Sequence, residues 1–451
     1  MLPTWILGLL AGISAAEGGD RSPAPDLAAI ERGRVALTQR SYLRAEWSEQ
    51  AYRNAGKLWG EEAVDPDADP EVYAQAFARR YGLHPAPYPN DGLPMGLRWS
   101  QRPDGSRTGL QVDCMVCHGG SIGGTSYVGL GNTQIDYDLL LRDLFRADGR
   151  RSPLVPFVIN TVRGTTNAGM MSVVLLSVRN SDLSFRRFPL PLGCNLPELD
   201  APPWWNLKYK TRMYYDGRTP ASSVRANMQF LLADKTLEEF QELEPVFRDI
   251  QAYLLSLEPP AYPFPVDPVR AERGRAVFDA TCARCHGTYG PDRSYPGKIV
   301  PIDVVGTDPE RLRGLSERAV DHYNSTWFGQ VDPAESLAEG YQAPPLDGIW
   351  ATAPYLHNGS VPTLYALLKS SERPARFTRP PSTDFEHYDQ NHVGWRFRLV
   401  TDDEAAAQRS VREARFIYDT ARFGLSNRGH TFGDRLSETE RLDLIEYLKT
   451  L

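Results

Sequence analysis

Two pentapeptides constrain this chain more than anything else in it: Cys114-Met115-Val116-Cys117-His118 and Cys282-Ala283-Arg284-Cys285-His286. A Cys-x-x-Cys-His segment sets two thiols about one helical turn apart with an imidazole beside them. That arrangement attaches a c-type haem through two thioethers and supplies its proximal iron ligand. Histidine makes up 8 of 451 residues, so two accidental histidines after two Cys-x-x-Cys pairs would arise at about three in ten thousand. Two rivals share the cysteines. A four-cysteine zinc site would use both pairs but neither histidine. A redox dithiol needs one pair, near a βαβ pattern that the sequence does not show. The motifs predict two covalently attached c-type haems. Cys194, the fifth cysteine, is left over and reads as a small buried hydrophobe.

The residue inventory restricts the sixth ligand of each iron. No methionine follows Met228, so a haem on His286 lacks the usual methionine partner and must look to His322, His357, His387, His392 or His430. No histidine lies between His118 and His286. A haem on His118 is therefore limited to Met170, Met171, Met213, Met228, the distant His84, or no protein ligand at all. One saturated iron and one open iron is the division of labour that an enzyme needs.

Internal echoes suggest a duplicated domain. "ERGRVAL" (31–37) is matched by "ERGRAVF" (272–278), and "AYLLSL" (252–257) by "EYLKTL" (446–451). The second pair falls on amphipathic helices: Phe247, Ile250, Leu254 and Leu257 share one face, with Pro245 as the opening residue. Ser437 and Glu440 form a capping box ahead of Leu444, Ile445, Leu448 and Leu451. "EPPAYPFPVDP" (258–268) is too rich in proline for a helix and reads as a linker. Residues 26–60 suggest one or two polar helices, and 84–92 a loop. "PFVINTV" (156–162) and "SVVLLSV" (172–178) are the only strand candidates. The expected fold is mainly α: two cytochrome c-like haem domains, 106–264 and 265–451, with long irregular loops and an N-terminal helical extension over 17–105.

"WILGLLAGISAA" (5–16) is a short apolar run ending in small residues before a polar stretch, so residues 1–16 read as a signal peptide and the protein as periplasmic or secreted from a bacterium. The basic residues that usually precede such a run are missing, which leaves an uncleaved anchor as the alternative. No internal stretch approaches the ~20 apolar residues of a membrane span. A net charge of −7 argues against nucleic acid as a partner.

With these motifs in place, the chain resembles the bacterial dihaem cytochrome c peroxidase superfamily, nearer its rubber and fatty-acid oxygenase branch than the true peroxidases. The likeness covers roughly residues 106–451. "PPLDGIWATAPYLHNGSVPTLYALL" (344–368) is similar to the family's second-domain signature, "RMYYDGR" (212–218) to the stretch with an aromatic bridge between haems, and "GHTFGDRLSETERLDLIEYLKTL" (429–451) to its last loop and helix. The resemblance implies His430 as sixth ligand of the C-terminal haem, Tyr215 at the bridging position, and His357 near the haem without ligating it. It also implies an interdomain calcium held by Asn167 and the carbonyls of Thr352 and Pro354. The peroxidases' displaceable histidine and distal glutamate have no counterpart here. Phe230 instead resembles the apolar aromatic over the active haem of the oxygenases. Tyr215 and Phe230 would serve equally as core aromatics, and the tandem Trp204-Trp205 as core or pocket lining.

These readings converge on an exported dihaem oxidoreductase. The haem on His118 is expected to bind dioxygen or peroxide on a side free of ionisable acid–base groups. The haem between His286 and His430 is expected to carry electrons from a small redox protein or another donor. Oxygenation of an apolar substrate is the first function, cytochrome c peroxidase activity the second, and pure electron carriage the third.

Overall fold

The protein is described from a computed structural model, which covers residues 26–102, 104–407 and 410–451. The expected signal peptide lies outside these residues. Among them no helix is long and apolar enough to cross a membrane.

Two helix crossings organise the chain. Asp26 caps the helix Leu27–Gln39 by accepting from the Ala28 and Ala29 amides, and Asp267 caps Pro268–Thr281 through Val269 and Arg270. Each cap stands five residues before an Glu-Arg-Gly-Arg segment. The glycine of that segment is where a second helix crosses. A Cβ on Gly33 would lie 1.8 Å from the Asp249 carbonyl oxygen of helix Leu237–Ser256. A Cβ on Gly274 would lie 1.9 Å from the Asp443 carbonyl oxygen of helix Glu438–Leu448. Only glycine permits such approach. Arginine pins both crossings: Arg32 reaches both oxygens of Asp249 at 2.8 Å, and Arg273 reaches those of Asp443 at 2.6 and 3.0 Å. The two sequence echoes are thus the two members of one repeated helix pair.

That pairing moves a boundary. Residue 105 was expected to separate an extension from the first haem domain, yet Leu27–Gln39 packs against Leu237–Ser256 and belongs to the first unit. What is added lies between, in residues 40–113. The helices Glu49–Ala55 and Pro70–Tyr81 and the antiparallel ribbon Leu97–Gln101/Arg107–Val112 build an aromatic core from Trp47, Tyr52, Trp59, Tyr73, Phe77 and Tyr81. In the second unit Cys282 follows its first helix directly.

Helices dominate, and the strands are short ribbons of two or three partners. The first motif runs from the short helix Met115–His118 into the hairpin Gly119–Ile122/Thr125–Val128. Its two-residue turn, Gly123-Gly124, has φ of +60° and +75°, which glycine adopts freely. Neither expected strand forms. Residues 156–162 are irregular, and "SVVLLSV" lies largely in the helix Ala168–Ser177. An apolar run this short does not distinguish strand from buried helix. Asn167, whose side chain accepts from the Met170 amide, starts the helix. Pro245 opens nothing: helix Leu237–Ser256 starts earlier, at a Thr236/Glu239 capping box, and carries Pro245 inside it. The Ser437/Glu440 box forms as expected, and 258–267 has no regular structure.

Candidate functional site

Both motifs fold alike. The His118 amide donates to the Cys114 carbonyl and the His286 amide to that of Cys282, each at 3.1 Å. Each histidine then lies beside a distant Pro-Pro pair. His286 Nδ1 lies 2.8 Å from the Pro344 oxygen, which fixes the proton on Nδ1 and leaves Nε2 free as a ligand. Pro202 lies beside the His118 ring, whose Nδ1 is buried without a hydrogen-bond partner. Burial holds His118 down to about 4 and lowers His286, so both imidazoles are neutral.

The C-terminal cavity, about 220 Å³, is bordered by Cys282, Cys285, His286, His357 and His430. His430 stands across from His286, ring centroids 6.2 Å apart and planes inclined at 64°. A ligating imidazole nitrogen sits ~2 Å from a transition metal and the ring centre about 1 Å beyond, so two imidazoles on opposite sides of one metal lie ~6 Å apart. The observed spacing fits one iron between them. Burial pushes His430 down to about 3, and its Nδ1 has no partner. The loop that presents it is tightly held: Gly429 and His430 have φ of +73° and +46°, and the His430 amide donates to Val305 at 2.6 Å. Arg373 donates to the carbonyls of Asn427, Gly429 and His430 at 2.7, 2.6 and 3.1 Å. Arg373 carries no motif signal, and only the folded loop reveals it.

His357 borders the same cavity but stacks on Tyr341 at 4.4 Å and meets Tyr215 edge-on at 5.9 Å. Its Nε2 is buried without a partner, and burial pushes it down to about 3. His84, buried against the Asn132 carboxamide at 3.2 Å, borders neither cavity, and His322, His387 and His392 also lie outside both.

The N-terminal cavity is larger, about 290 Å³. Trp204 stacks on His118 at 4.5 Å and 22°, its backbone held by Gly129. Val173, Leu176, Leu199 and Val320 make an apolar wall, and the 37 % exposed Phe230 stands at its edge. No histidine but His118 borders it, and of the four candidate methionines Met213 alone does. The expectation of a wall without ionisable groups fails: Lys210, Tyr214, Arg218 and Arg311 also line it. These groups come from 210–218 and from residue 311.

Tyr215 borders both cavities and donates to the Asp200 carbonyl at 3.1 Å. Pro202, beside His118, also borders the C-terminal cavity, and Pro344, beside His286, also borders the N-terminal one. The two sites share a wall.

The rivals fare poorly. Among the described residues no three His, Cys, Asp or Glu side chains gather as a metal site, so the cysteine pairs do not combine around zinc. Burial raises Cys282 to about 12 and Cys117 to about 11, far from a reactive dithiol. The Asn167 oxygen accepts from Met170 and its NH₂ donates to Val158 and Leu196, while Thr352 and Pro354 border the C-terminal cavity.

Residues 340–378 match the family described as RoxA-like, cytochrome c-like. The chain is 30 % identical over 295 residues to the uncharacterized protein y4iM of Sinorhizobium fredii, covering 56 % of this chain and 64 % of that one. It is 30 % identical over 263 residues to y4iJ of the same organism, covering 43 % and 41 %. The chain thus spans less than two thirds of the curated relatives it matches. A solved structure of Kuenenia stuttgartiensis hydrazine synthase is 16 % identical, covering 67 % of this chain and 90 % of that one, with a TM-score of 0.23, too low to bear on the fold. The chain carries a cytochrome c-like domain, the kind that holds haem covalently.

Proposed function

We propose that the chain is an exported dihaem c-type cytochrome oxidoreductase with one reactive and one electron-transferring haem. The observation that carries this reading is the asymmetry of the cavities: His430 faces His286, whereas no second histidine faces His118. A haem on His118 supplies an iron open to dioxygen or peroxide. His118 offers it a neutral nitrogen, Trp204 fixes the ring, and Phe230 and the apolar wall keep water from the open side. Tyr215, in the shared wall, lies where electrons pass between the sites. Oxygenation of a substrate with an apolar body is the first activity, with a small redox protein or other donor supplying electrons.

Lys210 favours a second reading, as a peroxidase. Heterolysis of peroxide needs a proton carried between its oxygens, and a positioned acid–base group contributes ~10²–10⁴ in rate. Burial brings Lys210 down to about 8, within reach of that task. EPR and visible spectra of the pure protein, followed by peroxide mixing and product analysis with polyisoprene or an unsaturated fatty acid under oxygen, decide. One high-spin and one low-spin haem with oxygenated product supports the oxygenase. Fast turnover with a cytochrome donor and no such product replaces it by the peroxidase. Two low-spin haems inert in both assays leave an electron carrier.

A further inference from the structure

One irregular segment, residues 178–192, is tied to both helices that carry the apolar wall of the N-terminal cavity. Val173 and Leu176 reach that wall from helix Ala168–Ser177, and Ala319 and Val320 from helix Glu317–Ser325. The Leu190 amide donates to the Ser177 carbonyl and the Arg186 amide to that of Val178, both at 2.8 Å. Arg318 donates to the Pro191 carbonyl at 3.0 Å, and the Ser316 hydroxyl donates to that of Leu192. None of these segment residues borders the cavity, and the middle of the segment faces solvent. Phe185 and Phe188 are 59 % and 69 % exposed, with Pro189 and Pro191 exposed beside them. The Arg179 guanidinium lies 3.4 Å from the centre of the Phe185 ring, and that of Arg187 lies 5.3 Å from Phe188. Both rings are thus held by cations while they stay open to water. The charge is one-sided. Residues 183–197 contain two arginines and no acid. Arg186 donates to the Asn180 side-chain oxygen and the Phe188 carbonyl at 2.6 and 3.3 Å, and among the described residues neither Arg186 nor Arg187 forms an ion pair. Asp182, just before them, turns back onto the Ser184 amide and hydroxyl at 3.0 and 2.6 Å. Arg318, next to Glu317 in sequence, brings a third guanidinium to the segment.

We propose that residues 184–191 dock on an anionic lipid surface, with Phe185 and Phe188 entering the boundary between headgroups and acyl chains and Arg187 and Arg318 meeting lipid phosphates. Aromatic rings bury apolar area at that boundary, and basic side chains add attraction to acidic headgroups. Charge complementarity selects this occupant. A second copy of the chain, docked through the same face, would set arginine against arginine across a two-fold contact. Docked on lipid, the two helices that bear the cavity wall stand next to the phase in which an apolar molecule collects. The inference goes beyond the oxidoreductase reading and rests on neither haem.

The test is flotation of the full-length holoprotein with vesicles of phosphatidylglycerol and, separately, of phosphatidylcholine. Wild type should bind the anionic vesicles about tenfold more tightly than the zwitterionic ones, and added salt should erase the difference. Phe185→Ser combined with Phe188→Ser should weaken binding to phosphatidylglycerol by about tenfold or more. Arg187→Gln should weaken it by about fivefold and leave binding to phosphatidylcholine unchanged. Circular dichroism and haem content establish that each variant folds. If the double variant does not assemble, Phe188→Ser alone is read in the same assay. Wild type absent from both kinds of vesicle, or bound equally to both, overturns the proposal. A double variant that floats as wild type does overturns it too. So does a concentration-dependent dimer that the double variant abolishes in the absence of vesicle binding, which gives the surface to a second copy.

Discussion

The two Cys-x-x-Cys-His sites share a frame and differ in what surrounds the histidine of each. In both, an Asp-capped helix crosses its partner at a glycine, a Cys-x-x-Cys-His turn lies further along the chain, and a Pro-Pro segment lies beside the imidazole, whose Nδ1 meets the Pro344 carbonyl in the C-terminal copy. In the dihaem reading proposed above these features set the position of each haem, and both units keep them. The opposite side obeys no such constraint. There the C-terminal site receives His430 on a loop clamped by Arg373, and the N-terminal cavity is lined instead by Lys210, by an apolar wall and by Arg311 from the second unit. Attachment geometry is what a duplicated haem domain must preserve, and the sixth coordination position is where its copies can take different tasks.

The sharpest way to break the comparison is to remove one attachment at a time. Cys282→Ser with Cys285→Ser should leave a single covalent haem, with the low-spin signal gone. Cys114→Ser with Cys117→Ser should do the converse. Pyridine haemochrome reads one haem per chain in each case. Loss of both haems from either variant would mean that the units do not assemble independently. Next in size is His430→Ala, which should convert one low-spin haem to high spin and let that iron bind added imidazole. Arg373→Met, which only loosens the loop, should produce part of the same change. An unaltered low-spin spectrum in His430→Ala would transfer the sixth position to another histidine, with His357 the first to examine.

The attachment chemistry was legible because thioether formation demands adjacent residues, and adjacency survives in sequence. The helix pairs were legible for a similar reason, since amphipathic stripes and capping boxes are local. The role of Gly33 and Gly274 was half visible: the echo was there, but not the crossing it serves. What stayed hidden lies between distant segments. Arg373 acts on a loop over 50 residues away through backbone carbonyls, which leave no trace in composition. Lys210 and Arg311 border one cavity only because 210–218 and the short helix Glu310–Arg313 both reach its wall. The helix Ala168–Ser177 was misread because its apolar face and a buried strand look the same over seven residues.

The helix crossings offer a test in which the two units should agree. Gly33→Ala and Gly274→Ala each drive a Cβ into a carbonyl oxygen at less than 2 Å. Overpacking of this kind costs about 1–3 kcal/mol, more where backbone must yield. Both variants should lower the melting temperature by a similar amount and leave the spectra alone. A large cost at one glycine and none at the other would show that the crossings are not equivalent supports.

The smallest expected effect concerns acid, and here the sites should part again. The C-terminal cavity holds His357 and His430 neutral, each pushed down to about 3 by burial, whereas the N-terminal one holds His118 alone, at about 4. In the unfolded chain a histidine protonates near 6.5. Below that pH the unfolded state binds a proton that the folded state refuses, so stability is full above about 6.5 and falls as the pH drops toward the folded value. Each such histidine adds ~1.4 kcal/mol of loss per pH unit within that window. The C-terminal site, with two of them beside the proximal His286, should therefore yield first on acidification. Its low-spin signal should convert to high spin at a higher pH than that at which the N-terminal haem changes. His357→Phe keeps a ring against Tyr341 and removes one titrating group. In that variant the fall of stability between pH 6 and 4, measured by denaturant melts, should be shallower by about 1.4 kcal/mol per pH unit. An unchanged slope would mean that His357 takes up its proton in the folded protein as readily as in the unfolded chain.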